Sequence, residues 1–432
     1  MERSGECLII NLYQKIGKLK ESLCIIGAGV AGNVCAMLLA DKYEVTVIES
    51  NNYLGGHTHT HKVSENHNEL FVDSGFIVLN DKNYPNFNKI LKKLGVEIRD
   101  SEMSFSFFSE LNGFCYAGNN LNGLFGVRKN LFSPKFYSFL YEISKFCSEG
   151  ERYLKRSVSE DVDISSFVKN IGLSKNFIDQ YLLPMISAIW SSTRYESGRY
   201  PAKSLLSFFK NHGLLSLADR PKWQTVVSGS HSYVNKIYSD PRIKFILNEP
   251  VLKVIESDSL VNVTTKNGSH SFSKAVIATH ADSALSLLGN PSNSQLEILS
   301  KFKYSNNNGF LHTDESILPP YKRTWSSWNS RLEKDGNYSI SYYMNCLQGI
   351  NSDTNYIVTL NTNHSISNEK IIKKLSYTHP IFDDSAVSAQ KDLDLINSSN
   401  IMFCGSYYGY GFHEDAVTSA INIVKKLGVE FE

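Results

Sequence analysis

Three glycines near the start of the chain have the spacing of a turn that binds a diphosphate. Gly27, Gly29 and Gly32 form a G-x-G-x-x-G pattern between an apolar run and a helical segment that contains Ala31. The first glycine permits a tight bend, the second lets the backbone approach a pyrophosphate, and the third lets helix and strand pack closely. Free N–H groups at the helix N-terminus favour the phosphate charge. The pattern therefore predicts a dinucleotide site.

An acid and a second glycine pair follow at the expected places. Glu49 comes directly after the apolar run at 44–48, with Ser50 beside it, and is placed to accept hydrogen bonds from ribose hydroxyls. Its charge disfavours a 2′-phosphate. Gly55 and Gly56 would bring a second loop close to phosphate. This arrangement favours FAD over NAD.

The sequence predicts that the elements which hold these residues form an α/β fold. The runs LCIIG (23–27) and EVTVI (44–48) flank a helix-like segment, which indicates a βαβ unit. Residues 84–95 predict one amphipathic helix. Residues 134–218 are rich in aromatics at helical spacing and predict a helical insertion that roofs a pocket, whereas strand-like alternation returns at 243–278 and 338–360.

Composition excludes several classes of function. The 432 residues carry 44 Lys plus Arg against 43 Asp plus Glu, so there is no global field to attract nucleic acid. Seven cysteines without a C-x-x-C pair indicate reduced thiols and a cytoplasmic setting. The absence of a long apolar run argues against a spanning helix, while peripheral membrane contact stays open.

Further along, the sequence resembles a known group of flavoproteins. The run from Ile25 to Gly56 resembles the fingerprint of the flavin amine oxidase and phytoene desaturase superfamily, although His57 stands where relatives usually have arginine. A narrower resemblance is to bacterial predicted NAD/FAD-binding amine oxidase-like proteins. The matching segments lie at 72–87, 181–192, 229–234, 325–329, 342–348 and 403–420.

This resemblance implies a domain organisation. A Rossmann-like FAD-binding domain of the glutathione-reductase type is expected over 22–98, 222–292 and 397–432. An inserted α+β substrate-binding domain is expected over 99–221 and 293–396, and residues 1–21 are interpreted as an extension.

The resemblance also implies further cofactor contacts. A C-terminal segment would close over the flavin, Gly75 and Phe76 would run beside the isoalloxazine, Val251 would read the adenine, and His57 would lie near the cofactor. The expected residues of the C-terminal segment are Gly405, His413, Glu414, Asp415 and Ala416. An ordinary glycine-rich loop, a plain strand at Val251 and a buried turn cap at Asp73 stay open as alternatives.

Catalytic and substrate residues are less well marked. Many amine oxidases place a lysine near the reactive flavin nitrogen, but the strand aligned with it, at 306–313, has none, so His312 becomes the catalytic candidate. Alternating His57, His59 and His61 could share one face of a strand, yet no acid or thiolate accompanies them locally, so no metal site is expected. Four aromatics are assigned to the substrate pocket, with core packing as the alternative: Trp190, Trp325, Tyr343 and Tyr408.

Together these observations predict an FAD-dependent oxidoreductase that takes a hydride from a carbon of an apolar or amphipathic substrate, with a lipid acyl chain as one candidate. Oxygen is one candidate electron acceptor. The alternatives are an amine oxidase that produces hydrogen peroxide, a non-catalytic flavin-binding protein, and an NAD-dependent dehydrogenase.

Overall fold

A computed structural model describes residues 20–156, 162–190, 198, 200–216 and 221–431. Most of the expected extension, residues 1–19, lies outside the described residues, as do parts of the predicted helical insertion. Elements are numbered below in chain order. No helix in the described ranges is both long and apolar enough to cross a membrane.

A five-stranded parallel sheet forms the centre of the fold. Its strands are buried on both faces, because Leu23 and Ile25 pack in one core while Cys24 and Ile26 pack in another. In spatial order the strands are β10 (Ile243–Ile246), β2 (Glu44–Ile48), β1 (Ser22–Ile26), β14 (Lys274–Ile277) and β20 (Ile401–Phe403).

Helices cover one face of this sheet, and a small antiparallel sheet with further helices covers the other. The first face carries α1 (Val30–Leu39), α2 (Pro85–Lys93), α9 (His231–Tyr238) and α14 (His413–Lys426). The second carries β11 (Val251–Glu256), β12 (Val261–Thr265), β13 (Gly268–Phe272), α10 (Ala281–Leu287), α11 (Asn293–Leu299) and α13 (Asp384–Ala389). This layered arrangement confirms the predicted α/β class.

A seven-stranded sheet forms the second large layer. Its spatial order is β19 (Ile371–Ile381), β15 (Lys303–His312), β18 (Ile357–Leu360), β17 (Tyr338–Tyr343), β16 (Trp328–Leu332), β7 (Phe105–Ser109) and β8 (Cys115–Ala117). All neighbours are antiparallel except β16 and β7. Two small sheets and a short helix complete this part of the fold: β3 (Thr60–Glu65) with β4 (Asn68–Asp73), β5 (Leu79–Asn80) with β9 (Trp223–Val226) and β6 (Ile98–Asp100), and α12 (Met344–Gln348).

A helical region packs beside the seven-stranded sheet. Its core is aromatic, with Phe146, Phe177 and Phe209 fully buried. The helices are α3 (Leu121–Leu124), α4 (Pro134–Lys155), α5 (Ile164–Asn170), α6 (Lys175–Phe177), α7 (Leu183–Trp190) and α8 (Ala202–Asn211). Phe208 of α8 stacks on Phe412, so this region contacts the segment before α14.

Candidate active site

The candidate site lies at the carboxyl edge of the parallel sheet. Gly27 follows β1, Glu49 follows β2, His280 comes soon after β14, and Gly405 comes soon after β20. All four line one cavity of about 1700 Å³ that extends into the helical region. Small-molecule pockets usually have roughly 300–1,000 Å³. The cavity is therefore large enough for a cofactor and a second molecule together.

In the first glycine turn, Gly27 and Gly32 do not tolerate a side chain, whereas Gly29 borders open space. Gly27 has φ +97°, which disfavours a side chain, and a Cβ on Gly32 would lie 1.9 Å from Gly27 O. A Cβ on Gly29 would meet nothing within 4 Å, although Gly29 lies directly before α1 and lines the cavity. The space beside the helix N-terminus is thus free for a ligand.

Glu49 is held by backbone and side-chain donors. Its Oε2 accepts from Ala28 N at 2.7 Å, which ties the acid to the glycine turn. Its Oε1 accepts from Asn51 N at 2.9 Å, Asn51 Nδ2 at 2.8 Å and Ser50 Oγ at 3.2 Å. Since a carboxylate offers about four lone-pair sites, Oε2 keeps capacity for a ligand donor. Glu49, Ser50 and Asn51 all line the cavity, and sequence reasoning missed Asn51.

The second glycine pair packs directly on the first turn. Gly55 N donates to Ala28 O at 2.8 Å, and a Cβ on Gly56 would lie 3.2 Å from Gly29 Cα. Both glycines have positive φ, +112° and +59°. Because both also line the cavity, the two loops form one backbone cradle around the open space at Gly29.

Gly75, Phe76 and His413 lie together in the cavity wall. A Cβ on Gly75 would lie 2.1 Å from His57 O, and Phe76 N donates to that oxygen at 2.7 Å. The Phe76 ring stacks on His413 at 3.8 Å between centroids, and Tyr233 Oη lies 2.9 Å from His413 Nε2. These contacts fix two aromatic rings at the cavity.

The other expected cofactor residues divide into two groups. Ala31, Val251, Gly405 and Ala416 line the cavity, whereas Gly32, Glu414 and Asp415 do not. Glu414 accepts from the Asn86 and Phe87 amides at 3.0 and 2.9 Å, near the start of α2. Asp415 accepts from the Tyr410 and Phe412 amides at 3.0 and 2.8 Å. Both carboxylates therefore hold backbone N–H groups, and neither residue lines the cavity.

Three histidines from different parts of the chain meet at the cavity. The His57 ring lies 5.3 Å from His379, 6.0 Å from His280 and 5.2 Å from Tyr377. Burial lowers the pKa of His57 well below its usual value, lowers that of His379 to about 4, and lowers that of His280. The cluster is consequently uncharged at neutral pH.

Hydrogen bonds fix the tautomer of His379. The amide of Asn307 is oriented by Ser305 O, which its Nδ2 contacts at 3.2 Å, and by Asn361 Nδ2, which donates to its Oδ1 at 2.6 Å. Asn307 Nδ2 therefore donates to His379 Nδ1 at 2.9 Å, and His379 carries its proton on Nε2. His57 Nε2 is buried with no hydrogen-bond partner among the described residues, while the ring contacts the Thr378 backbone.

His312 lies far from this cluster. It is fully buried at the end of β15, where Nε2 lies 2.8 Å from Thr359 Oγ1 and Nδ1 accepts from Asp314 N at 3.0 Å. His379 pairs with Ser305, seven residues earlier on β15, so the two imidazoles are separated by about 23 Å along the strand. The structure does not bring His312 to the cavity, and the clustered histidines His57, His280 and His379 replace it as candidates for proton transfer.

The four aromatics expected in the substrate pocket also lie outside the cavity wall. Trp190 Nε1 donates to Tyr410 O at 3.1 Å, and Trp325 Nε1 donates to Pro319 O at 2.8 Å. Both indole N–H groups are therefore bonded to backbone carbonyls outside the cavity wall. Tyr343 donates to Asn355, and Tyr408 packs against the core below the parallel sheet. The aromatic residues that do line the cavity include Tyr181, Phe208, Trp223, Trp328 and Tyr342.

Charge in the cavity wall has one sign. Its acids are Glu49, Glu151 and Glu249, and neither Lys nor Arg is among the described residues that line it. Glu151, on α4, is the acid in the helical part. Within the described ranges there is also no group of His, Cys, Asp or Glu arranged to hold a metal ion.

A sequence model of flavin containing amine oxidoreductases matches residues 30–347. The chain belongs to this family. It is thus an amine oxidase-like flavin oxidoreductase, and the cradle at Gly29, the Glu49 carboxylate and the unpartnered His57 Nε2 fit a bound flavin nucleotide. A search of curated protein sequences found no match.

Solved structures share the fold of this oxidoreductase at low sequence identity. Putrescine oxidase bound to putrescine is 13% identical, with TM-score 0.65, over 95% of this chain and 99% of the other. Cyclohexylamine oxidase from Brevibacterium oxydans is 14% identical, with TM-score 0.64, over 94% and 99%. A fatty acid isomerase from P. acnes that produces CLA is 14% identical, with TM-score 0.64, over 95% and 99%. These likenesses confirm the amine oxidase-like fold.

Proposed function

We propose that the chain binds FAD and oxidises a carbon of an apolar or amphipathic substrate. The cradle formed by Gly29 and Gly56 would hold the diphosphate, Glu49 the ribose and Val251 the adenine. The ring would lie among His57, Gly75, Phe76, Gly405 and His413, with Ala31 and Ala416 completing the wall. When bound, the flavin accepts a hydride equivalent from a substrate carbon.

The helical wall of the cavity supports an apolar or amphipathic substrate, and this observation carries the proposal. Residues 140, 143, 144, 147, 148 and 151 of α4 line the cavity at helical spacing, so one face of the helix borders it over about 16 Å. Tyr181, Met185 and Ile189 line it from a neighbouring segment. The lining face of α4 carries apolar Leu140, Ile143 and Cys147 beside polar Ser144, Ser148 and Glu151. An extended wall of this mixed character suits an amphipathic molecule such as a lipid with an acyl chain.

The histidine cluster would accept the proton that leaves the substrate. Removal of a hydride and of a proton from the adjacent carbon leaves a double bond, and His57, which lines the cavity and whose Nε2 has no hydrogen-bond partner among the described residues, would accept that proton. His379 Nε2–H would donate a hydrogen bond from the same wall. Burial keeps both rings uncharged in the resting protein, which leaves the His57 lone pair free.

Amine oxidation with release of hydrogen peroxide is the second candidate. Glu151 supports it, because a carboxylate in a cavity wall without Lys or Arg among its described residues is suited to an ammonium group. Since no lysine is among the described residues of that wall, the first proposal is favoured over amine oxidation.

Anaerobic titration with defined probes tests both functions. Purified protein would be mixed without oxygen with an oleoyl phospholipid, oleic acid, putrescine or benzylamine while flavin absorbance is followed. Bleaching by an oleoyl probe supports the proposal. Bleaching by amines alone, with peroxide formed after oxygen is admitted, overturns it in favour of amine oxidation.

A variant that blocks the cavity, compared with a matched control on the same helix, tests the substrate site. Cys147→Trp places an indole on the lining face of α4, whereas Lys155→Trp places one at an exposed position of the same helix. We expect Cys147→Trp to slow bleaching at least about tenfold with flavin still bound, and Lys155→Trp to behave as wild type. Equal rates in all three proteins would contradict a substrate site along α4.

A further inference from the structure

Five large apolar side chains are exposed within one short stretch of the helical region. Isolated exposed apolar residues are ordinary on a protein surface, but a contiguous group marks an interaction site. Phe132 is 87% exposed, Leu121 75% and Tyr141 67%, and Leu131 and Tyr137 are also exposed. We call these five residues the rim.

Hydrogen bonds and ring contacts join the rim into one surface. Tyr137 Oη donates to Leu131 O at 3.0 Å, and the Tyr137 ring lies 6.2 Å from that of Phe125. Arg128 donates to Phe125 O at 3.0 Å and to Asn122 Oδ1 at 2.6 Å, which ties the 3-10 turn Arg128–Phe132, just before α4, to α3. These contacts link the segments that carry the rim, and Tyr137 and Tyr141 are neighbours on α4 at i,i+4 spacing.

The rim is surrounded by cations, although the whole chain has a net charge of only +1. Residues 111–141 contain Arg128, Lys129 and Lys135, all exposed, and no acid. Of the acids that bracket this stretch, Glu110 is paired with the cation Arg331 at 2.8 Å, whereas Glu142 accepts from the neutral Ser174 N at 3.1 Å and Oγ at 2.7 Å and keeps its charge. Three cations therefore stand against one unpaired acid. The local charge is thus positive.

The rim leads into the cavity. Leu121 belongs to the rim and also lines the cavity, together with Leu124 of the same helix. On α4, residues 137, 141, 144 and 148 follow one another at helical spacing, and the last two are exposed lining residues. The exposed aromatic face of α4 therefore continues into the mouth of the cavity.

We infer that the rim docks on a membrane surface that contains anionic lipid. Protruding apolar side chains surrounded by Lys and Arg match a bilayer interface, where apolar groups enter the acyl boundary and cations contact lipid phosphate. Phe132 and Leu121 insert, Arg128, Lys129 and Lys135 contact headgroups, and the mouth faces the acyl chains. This inference goes beyond the reaction proposed above, and vesicle binding tests it without any turnover.

Cosedimentation with vesicles is the test. The full chain would be incubated with phosphatidylcholine vesicles with and without phosphatidylglycerol, at low and high salt. We expect binding to the anionic vesicles that weakens at high salt, since each cation near such a surface strengthens binding about fivefold. A chain that stays in the supernatant with anionic vesicles at low salt overturns the inference.

Variants separate the rim from the rest of the surface. R128Q/K129Q should weaken binding about 25-fold, and Phe132→Ser should weaken it at least about tenfold. The matched controls are Lys301→Gln, an exposed cation elsewhere, and Leu395→Ser, which is 64% exposed. Circular dichroism and thermal unfolding confirm that each variant folds. Rim variants that bind like their controls, or wild type that binds phosphatidylcholine equally well, overturn the inference.

Discussion

Replacing Gly29 with alanine separates a cofactor cradle from a purely structural turn. Gly29 has φ −68° and ψ −178°, a conformation open to any residue, and its added Cβ meets nothing within 4 Å. The variant should therefore fold as wild type. If a diphosphate lies against this backbone, the methyl removes about one charge-assisted hydrogen bond, about 1.5–3 kcal/mol, or roughly 10- to 150-fold in the dissociation constant for FAD.

The assay measures FAD affinity and thermal stability in parallel. The apoprotein would be titrated with FAD by flavin fluorescence, and its unfolding temperature recorded without FAD. Gly32→Ala is the contrasting variant, because its Cβ would lie 1.9 Å from Gly27 O and should lower the unfolding temperature of the apoprotein. Unchanged FAD affinity in Gly29→Ala would refute the cradle.

Two further substitutions test the site and the fold. Glu49→Gln should weaken FAD retention by about 1.5–3 kcal/mol, because a charged acceptor is lost. Equilibrium dialysis measures this retention, and Glu44→Gln, at the exposed start of the strand that precedes Glu49, is the control. Equal retention in Glu49→Gln and wild type contradicts the ribose role. His312 is buried and uncharged with its pKa lowered to about 4, so between pH 6.5 and 4 the unfolded chain binds the extra proton and stability falls as pH falls. At pH 5 this loss of stability is about 2 kcal/mol. The free energy of unfolding, measured by urea titration, should therefore fall less between pH 7 and 5 in His312→Gln than in wild type. An identical fall in both proteins would contradict this prediction.

Local patterns predicted the parallel sheet and its first turn well. The runs at 23–27 and 44–48 became Ser22–Ile26 and Glu44–Ile48, because strands buried on both faces are continuously apolar. The helix expected at 84–95 is Pro85–Lys93, with Pro85 in its first turn. These features depend on near neighbours in sequence and are therefore readable from it.

Features assembled from distant segments were not predicted. His280 follows a parallel strand, and the rule that ligands bind at the carboxyl edge could have found it. His379 lies on a strand whose position depends on pairing with β15, and no local pattern marks it. The four aromatics were assigned to the pocket from the family resemblance, but they do not line the cavity. Aromatic side chains fill protein cores as readily as they line cavities, so their residue type did not distinguish the two positions.

The most direct measurement is the identity and amount of cofactor on the purified protein. Its visible spectrum would be recorded, the protein denatured, and the released cofactor identified by mass spectrometry. A yellow protein that releases stoichiometric FAD is the expected result. A folded protein that stays colourless after incubation with excess FAD would contradict the central claim.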